Sequence, residues 1–187
     1  MIIGLTGTFA SGKDTVADYL VEKYGFDAIG TGDIVREYTK QDNLANTRDS
    51  QREISNKLRA NNGSEFLVSE AIKRLKGLNK VISGIRDVDE VKFLKNKPNS
   101  FLIAVDAPIE LRFQRMQARN RGDDPKTLEE FSEKEKKEMG SGLSADRKMQ
   151  NISYCIKTAD FTINNVGSLE ELHKKVDGLL NTIRQKS

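Results

Sequence analysis

Residues Gly7 to Lys13, reading GTFASGK, constrain this chain more than any other stretch, because an apolar run from Met1 to Leu5 precedes them and a helical pattern follows. Two glycines and a lysine at that spacing, between a buried strand and a helix, form a loop whose backbone N–H groups face a polyphosphate. Such dense negative charge must be met by N–H groups that only a loop nearly free of side chains brings close, and Gly7 and Gly12 allow that approach, with Ala10 and Ser11 between them. Lys13 adds a mobile point charge, and the helix that starts there aims its positive dipole end at the same anion. Val16, Leu20 and Tyr24, with Ala17 and Val21 beside them, supply the helical spacing. A glycine turn joining a strand to a helix is the plain alternative. One residue departs from the usual pattern: Asp14 follows Lys13 where most such loops have Ser or Thr to hold Mg²⁺, and the hydroxyl comes one place later as Thr15.

A length of 187 residues suits one domain with a full core. No apolar run approaches the roughly 18 residues that a membrane helix needs, and the first residues lack the basic start and cleavage site of a signal peptide, so a cytoplasmic protein without a membrane partner is expected. A single cysteine, Cys155, excludes an internal disulfide or cysteine-based metal cluster, and a single histidine, His173, excludes a histidine-rich site. A metal acting here is therefore expected to be Mg²⁺ held by oxygen atoms, with Asp14 and Thr15 as its candidate ligands. Net charge is only +3, with basic and acidic residues interleaved, which does not argue for a nucleic-acid partner.

Further along, Phe26 to Ile29 reads as a second strand leading into GTGDIVR, where Asp33 and Arg36 lie three residues apart at a helix start and share a face. Arg36 is then placed to meet a second anion; the bland alternative is a capping aspartate with a solvated arginine. Residues 37–78 read as a helical excursion in which Arg48, Arg52 and Arg59 lie on solvated faces. Lys80 to Ile85 reads as the third strand, ending in Gly84-Ile85-Arg86-Asp87. Gly84 lets a ligand come close at the strand end, and Arg86 leaves the sheet at the usual ligand edge of an open α/β fold. The alternative is an arginine paired locally with Asp87 or Asp89.

Phe101 to Val105 is a continuous apolar run, as in a buried parallel strand, followed by a helix with Ile109, Phe113 and Met116 as its core positions. Arg112, Arg115, Arg119 and Arg121 occupy its other faces. Thr127 to Met139 reads as a charged helix with a thin apolar stripe, opened by a Thr127–Glu130 capping box, loosely docked, and followed by the breaks Gly140 and Gly142. Such a segment has the character of a lid that closes over phosphates, against a plain solvated hairpin. Asp160 to Asn164 reads as the fifth strand and Ser168 starts a long terminal helix with an apolar stripe.

The motifs GTFASGKDT, GDIVR, SGIRD, the arginine-rich helix and ADFTINNVGSLEEL together resemble the P-loop nucleoside monophosphate kinases, above all adenylate-kinase-related proteins and kinase-like domains related to dCMP metabolism, while the tail looks like that of dephospho-CoA kinases. The resemblance covers essentially the whole chain. It implies an α/β P-loop NTPase three-layer fold: a five-stranded parallel sheet in a core of residues 1–36, 79–118 and 156–187, an acceptor-binding insertion at 37–78 and a lid at 119–150. It also implies that Gly7, Gly12, Lys13 and Thr15 cradle the phosphates of ATP, that Asp33, Arg36 and Arg86 address a small phosphorylated acceptor, and that Arg119 and Arg121 act from the lid. The loop from Asn165 to Gly167 would lie by the donor base. The expected activity is Mg²⁺-dependent transfer of the γ-phosphoryl group to a nucleoside monophosphate, by a monomer or homodimer. Transfer to dephospho-CoA, with Asp33 as base, and a nucleotide-binding regulatory module without turnover are the rivals.

Overall fold

The computed structural model describes residues 1–119, 124–139 and 151–186. Five strands form one parallel sheet: β1 (Ile2–Thr6), β2 (Asp27–Gly30), β3 (Lys80–Ile85), β4 (Ser100–Asp106) and β5 (Phe161–Asn164), in the order β2-β3-β1-β4-β5. The three central strands are the apolar ones, since helices cover both of their faces; the edge strands β2 and β5 are shorter and only partly buried. β2 begins and ends one residue later than the sequence pattern suggests.

Alternation along the strands divides the core in two. Ile3, Leu5, Val81, Ile103, Val105 and Ile163 meet Val16 and Leu20 of α1 (Lys13–Tyr24) and Leu172, Val176 and Ile183 of α9 (Leu169–Lys186). On the other face Ile82, Ile85 and Leu102 meet α2 (Thr31–Gln41), α3 (Arg48–Asn62), α4 (Phe66–Arg74) and α5 (Val88–Lys95). Each fully buried aliphatic side chain contributes about 1.5–3 kcal/mol. Gly4 makes the second face possible: a Cβ there would stand 2.4 Å from both Ile85 and Leu94, so β1 and α5 close up only over a hydrogen.

Two expectations change, and one helix was not foreseen. In α6 (Ile109–Arg119) Met116 is buried, but Ile109 and Phe113 are half-buried, and Arg112 is the other buried residue of the helix. The helix α7 (Leu128–Met139) is firmly docked despite its thin stripe, because Phe131 is 2% exposed against Phe9 and Phe113. A short helix, α8 (Ile152–Lys157), buries Ile152 and Cys155 beneath α5. The expected breaks at Gly140 and Gly142 lie outside the described residues, as does much of the segment expected to be a lid.

Candidate active site

Parallel pairing brings the C-terminal ends of all five strands to one edge of the sheet, and the site is built there. Gly7 (φ 145°) leaves β1 against Val105, whose carbonyl oxygen would stand 2.2 Å from a Cβ. Ala10 adopts φ 60° at the loop tip. Gly12 (φ 99°) precedes α1 and is covered by Asn165, whose Nδ2 would lie 2.3 Å from a Cβ on Gly12. The same Nδ2 donates to the Ser11 carbonyl at 2.8 Å, while the Asn165 N–H donates to Asp106 O at 2.7 Å. The loop after β5 thus clasps the P-loop from below.

No side chain caps the start of α1, so its first N–H groups remain for an anion. Thr8 Oγ1 and Ser11 Oγ are buried without a hydrogen-bond partner. Orphaned hydroxyls are costly unless a ligand meets them, and polyphosphate oxygens are acceptors of the kind they need. The donor set therefore fits a bound nucleotide. Lys13 is buried, with Nζ 3.9 Å from Asp14 Oδ2, and Thr15 is half-buried one place further on.

Asp14 accepts a 2.6 Å hydrogen bond from the Ser83 hydroxyl of β3. Partial desolvation would raise its pKa, but Lys13, the Ser83 bond, Arg86 and Arg119 together hold the carboxyl below its ordinary range. The carboxylate itself stays open to the cleft, its side chain 72% exposed. It is thus ionised, accessible and ringed by cationic side chains. Ser83 escaped the sequence analysis; a lone hydroxyl in the last turn of an apolar strand, next to the SGIRD glycine, was its only signal.

Gly84 (φ 89°) is an extra residue in the β1–β3 ladder, where pairing slips from Leu5↔Ser83 to Thr6↔Ile85. A Cβ there would stand 2.8 Å from Thr31 Oγ1, and Thr31 donates to the Gly84 carbonyl at 2.7 Å. In this structure Gly84 admits the start of α2 to the sheet. The bulge carries the chain out to Arg86, whose peptide is held on both sides: its N–H donates to Glu90 Oε2 at 2.9 Å and its carbonyl accepts from Asn151 N–H at 2.8 Å.

Glu90 is fully buried and gathers more than that. Oε2 also accepts from Asp87 N–H, and Oε1 accepts from Arg59 Nη2 at 2.7 Å. Arg59 of α3, expected on a solvated face, is 7% exposed and also donates to Ser55 Oγ. Burial pushes the nearby Asp87 carboxyl up to about 6; Glu90 adds to the rise, while Asp89 N–H and Arg59 oppose it.

Asp33 and Arg36 reach the same sheet edge at the start of α2 but serve each other. Asp33 accepts from Gly30 N–H at 3.0 Å with one oxygen and from Arg36 Nη2 with the other. Arg36 is therefore aimed by Asp33, and both are about half exposed. Arg119, at the end of α6, lies 3.5 Å from Asp124 through Nε, with its guanidinium over the Phe9 ring. Arg121 lies outside the described residues. Arg112 donates to the carbonyls of Ala107 and Phe9 and pairs with Glu135 of α7. Arg115 donates to Asn165 Oδ1 at 3.4 Å, and its Nη1 is buried without a partner.

Residues 3–138 match the family described as an AAA domain. A UPF0200 protein of Thermococcus kodakarensis is 34% identical over 194 residues, covering 100% of both chains. Among solved structures, a shikimate kinase from Aquifex aeolicus superposes with a TM-score of 0.61 at 15% identity, covering 100% of both chains. A gluconokinase from Sinorhizobium meliloti gives 0.57 at 16%, covering 98% of this chain and 93% of that one. At these identities the structural likenesses speak to the fold: an α/β P-loop, kinase-like architecture. Among the described residues no helix is long and apolar enough to cross a membrane.

Proposed function

This chain belongs to the UPF0200 family and carries an AAA domain, and from the chemistry of its site we propose that it is an ATP- and Mg²⁺-dependent phosphotransferase whose acceptor is a small phosphorylated molecule, a nucleoside monophosphate. The observation that carries the proposal is the convergence at the sheet edge: orphaned loop hydroxyls of Thr8 and Ser11 beside a cluster in which Lys13, Arg86 and Arg119 all bear on Asp14. Phosphoryl transfer asks a protein for positioning and cationic stabilisation rather than covalent help. The P-loop N–H groups and Lys13 hold the donor phosphates, Arg86 faces the acceptor, and Arg119 stands between them.

In the reaction the bond between the γ-phosphorus and the bridging oxygen breaks while one forms to an oxygen of the acceptor. A phosphate acceptor presents that oxygen already ionised, so no base is needed. Asp33 has both carboxylate oxygens engaged, which weighs against the base role that a hydroxyl acceptor would require. No protein nucleophile is offered either: the Cys155 thiol is buried and its pKa pushed up by burial, and His173 stacks on Tyr19 at 3.8 Å, on α9. Mg²⁺ would supply charge neutralisation between the phosphates, and Asp14 and Thr15 are the side chains that would hold it. Among the described residues there is no cluster of three acidic, histidine or cysteine ligands, which fits an ion that keeps much of its water.

The test is ADP formation from ATP with purine and pyrimidine, ribo and deoxy monophosphates in parallel, alongside dephospho-CoA, shikimate and gluconate. Stimulation by a monophosphate is expected. Stimulation by a hydroxyl acceptor alone moves the assignment to that class, and ATP binding without turnover moves it to a regulatory module.

A further inference from the structure

The tip of the P-loop carries a side chain that phosphate binding does not require. Phe9 has the Arg48 guanidinium 3.8 Å from its ring centroid and that of Arg119 at 4.3 Å. Both guanidinium groups thus lie against the Phe9 ring. Arg48 opens α3 and Arg119 closes α6, so the stack joins two separate elements at the loop. Each cation gains from the ring quadrupole, yet two like charges so near one another need an anion.

Asp124 supplies it. Arg48 Nη2 donates to Oδ1 at 2.9 Å, and Arg119 Nε lies 3.5 Å from Oδ2. The match is incomplete: the Asp124 side chain is 7% exposed, and its buried Oδ2 makes no hydrogen bond. A phosphate, with three oxygens and more charge, satisfies two guanidinium forks better than one carboxylate does. The stack also stands over the phosphate cradle, since Arg119 is near enough to bear on Asp14 and Arg112 donates to the Phe9 carbonyl at 3.3 Å.

We propose that Arg48 and Arg119 form the specificity-determining anion receptor for the acceptor, and that Asp124 is a resident counter-ion which the acceptor's phosphate displaces from between them. This rests on the phosphorylated-acceptor reading above. Acceptor recognition is then an exchange of one anion for another, and an acceptor without an anionic group meets a receptor already filled. Phe9 makes the P-loop tip sense that exchange, because its ring loses flanking charge when the arginines turn to a ligand.

The chain contains no tryptophan, so Phe9→Trp gives a single emission reporter at the stack. Inorganic phosphate is the probe, titrated with the β,γ-imido analogue of ATP at saturation so that the donor cradle is already filled. Emission should change saturably. Asp124→Asn in that background should lower the half-saturating phosphate concentration about tenfold and Arg48→Gln should raise it about tenfold, as expected for one charge-assisted hydrogen bond gained or lost. Calorimetry on chains that keep Phe9 should give the same ranking. An Asp124→Asn protein that binds phosphate no more tightly than its parent overturns the proposal, as does a native chain that binds none under these conditions. Circular dichroism checks folding, and Asp124→Ser carries the same test should the asparagine variant misfold. No turnover is required, so failure of every acceptor in the ADP assay removes the kinase reading while the phosphate ranking still decides the role of Asp124.

Discussion

Two arginines of one helix end in opposite situations. Arg59 meets Glu90 in the core, the two side chains 6% and 0% exposed, and Glu90 fills both of its oxygens with N–H donors from Arg59, Arg86 and Asp87. Arg48, a few turns earlier in α3, meets Asp124 at the cleft with 28% of its side chain open and one carboxylate oxygen lacking a hydrogen bond. The first pair is closed and saturated, and holds the Arg86 peptide where the chain leaves β3. The second is open only on its arginine side and under-satisfied at the buried Asp124 carboxylate, which is the condition for exchange. Burial and completeness, rather than the identity of the partners, separate a structural ion pair from a functional one.

Removing one partner breaks this contrast most directly. Glu90→Ala leaves Arg59 charged and buried, and should cost about 3–5 kcal/mol, whereas Asp124→Ala should cost about 1 kcal/mol or less. Urea denaturation of both variants measures the difference; equal losses would erase the distinction. At the cradle the expected effect falls on rate instead. Lys13→Ala should keep the fold, by circular dichroism, and lower phosphoryl transfer by two orders of magnitude or more, about 3 kcal/mol of transition-state stabilisation. A folded and fully active Lys13→Ala protein would sink the kinase assignment.

Asp87 sharpens the saturated side of the comparison. Its folded pKa of about 6 lies above the ordinary 3.8, so the folded state binds the proton more tightly. This group's contribution therefore favours folding fully below pH 3.8 and is lost as pH rises through 6. Asp87→Asn, which keeps an oxygen for the Asp89 N–H, should be more stable than the native chain at pH 7.5 by about 2 kcal/mol, with the gap closing towards pH 4. Melting temperatures at the two pH values decide it, taken as differences between the proteins because Asp14, Asp27 and Asp177, with lowered values, act in the opposite sense. The smallest effect concerns the metal. Asp14→Asn should raise the Mg²⁺ concentration for half-maximal activity about tenfold, or about 1.4 kcal/mol. Coincident Mg²⁺ titrations would remove Asp14 from the metal site.

The strand, loop and first helix were legible because their determinants are contiguous: Gly7, Gly12 and Lys13 act through local backbone geometry. The helix starts at Thr127 and Ser168 were legible for the same reason: Ser168 and Glu171 form a reciprocal capping box, while Thr127 caps the Glu130 N–H and Glu130 reaches back one residue further than expected, to the Lys126 N–H. Arg48 and Arg59 were not. Both sit in a polar helical pattern identical to that of a solvated face, and their partners come 76 and 31 residues later. Periodicity records how apolar a helix is, not what meets its charged positions. The docking of α7 was missed on that account, since it depends on Phe131 finding Phe9 and on Glu135 finding Arg112. At Asp33 and Arg36 the spacing of three correctly put both on one face, but could not tell a pair facing a ligand from a pair facing itself.

The Asn165 clasp also ties nucleotide binding to the order of synthesis. The P-loop leaves the ribosome well before its clasp, since the amide that covers Gly12 and holds the Ser11 carbonyl comes 154 residues after Ser11. A nascent chain carrying β1, β3 and β4 already has the centre of its sheet but no finished cradle. A nucleotide taken up by this loop would then meet a finished cradle only after β5 and the turn that follows it have been made.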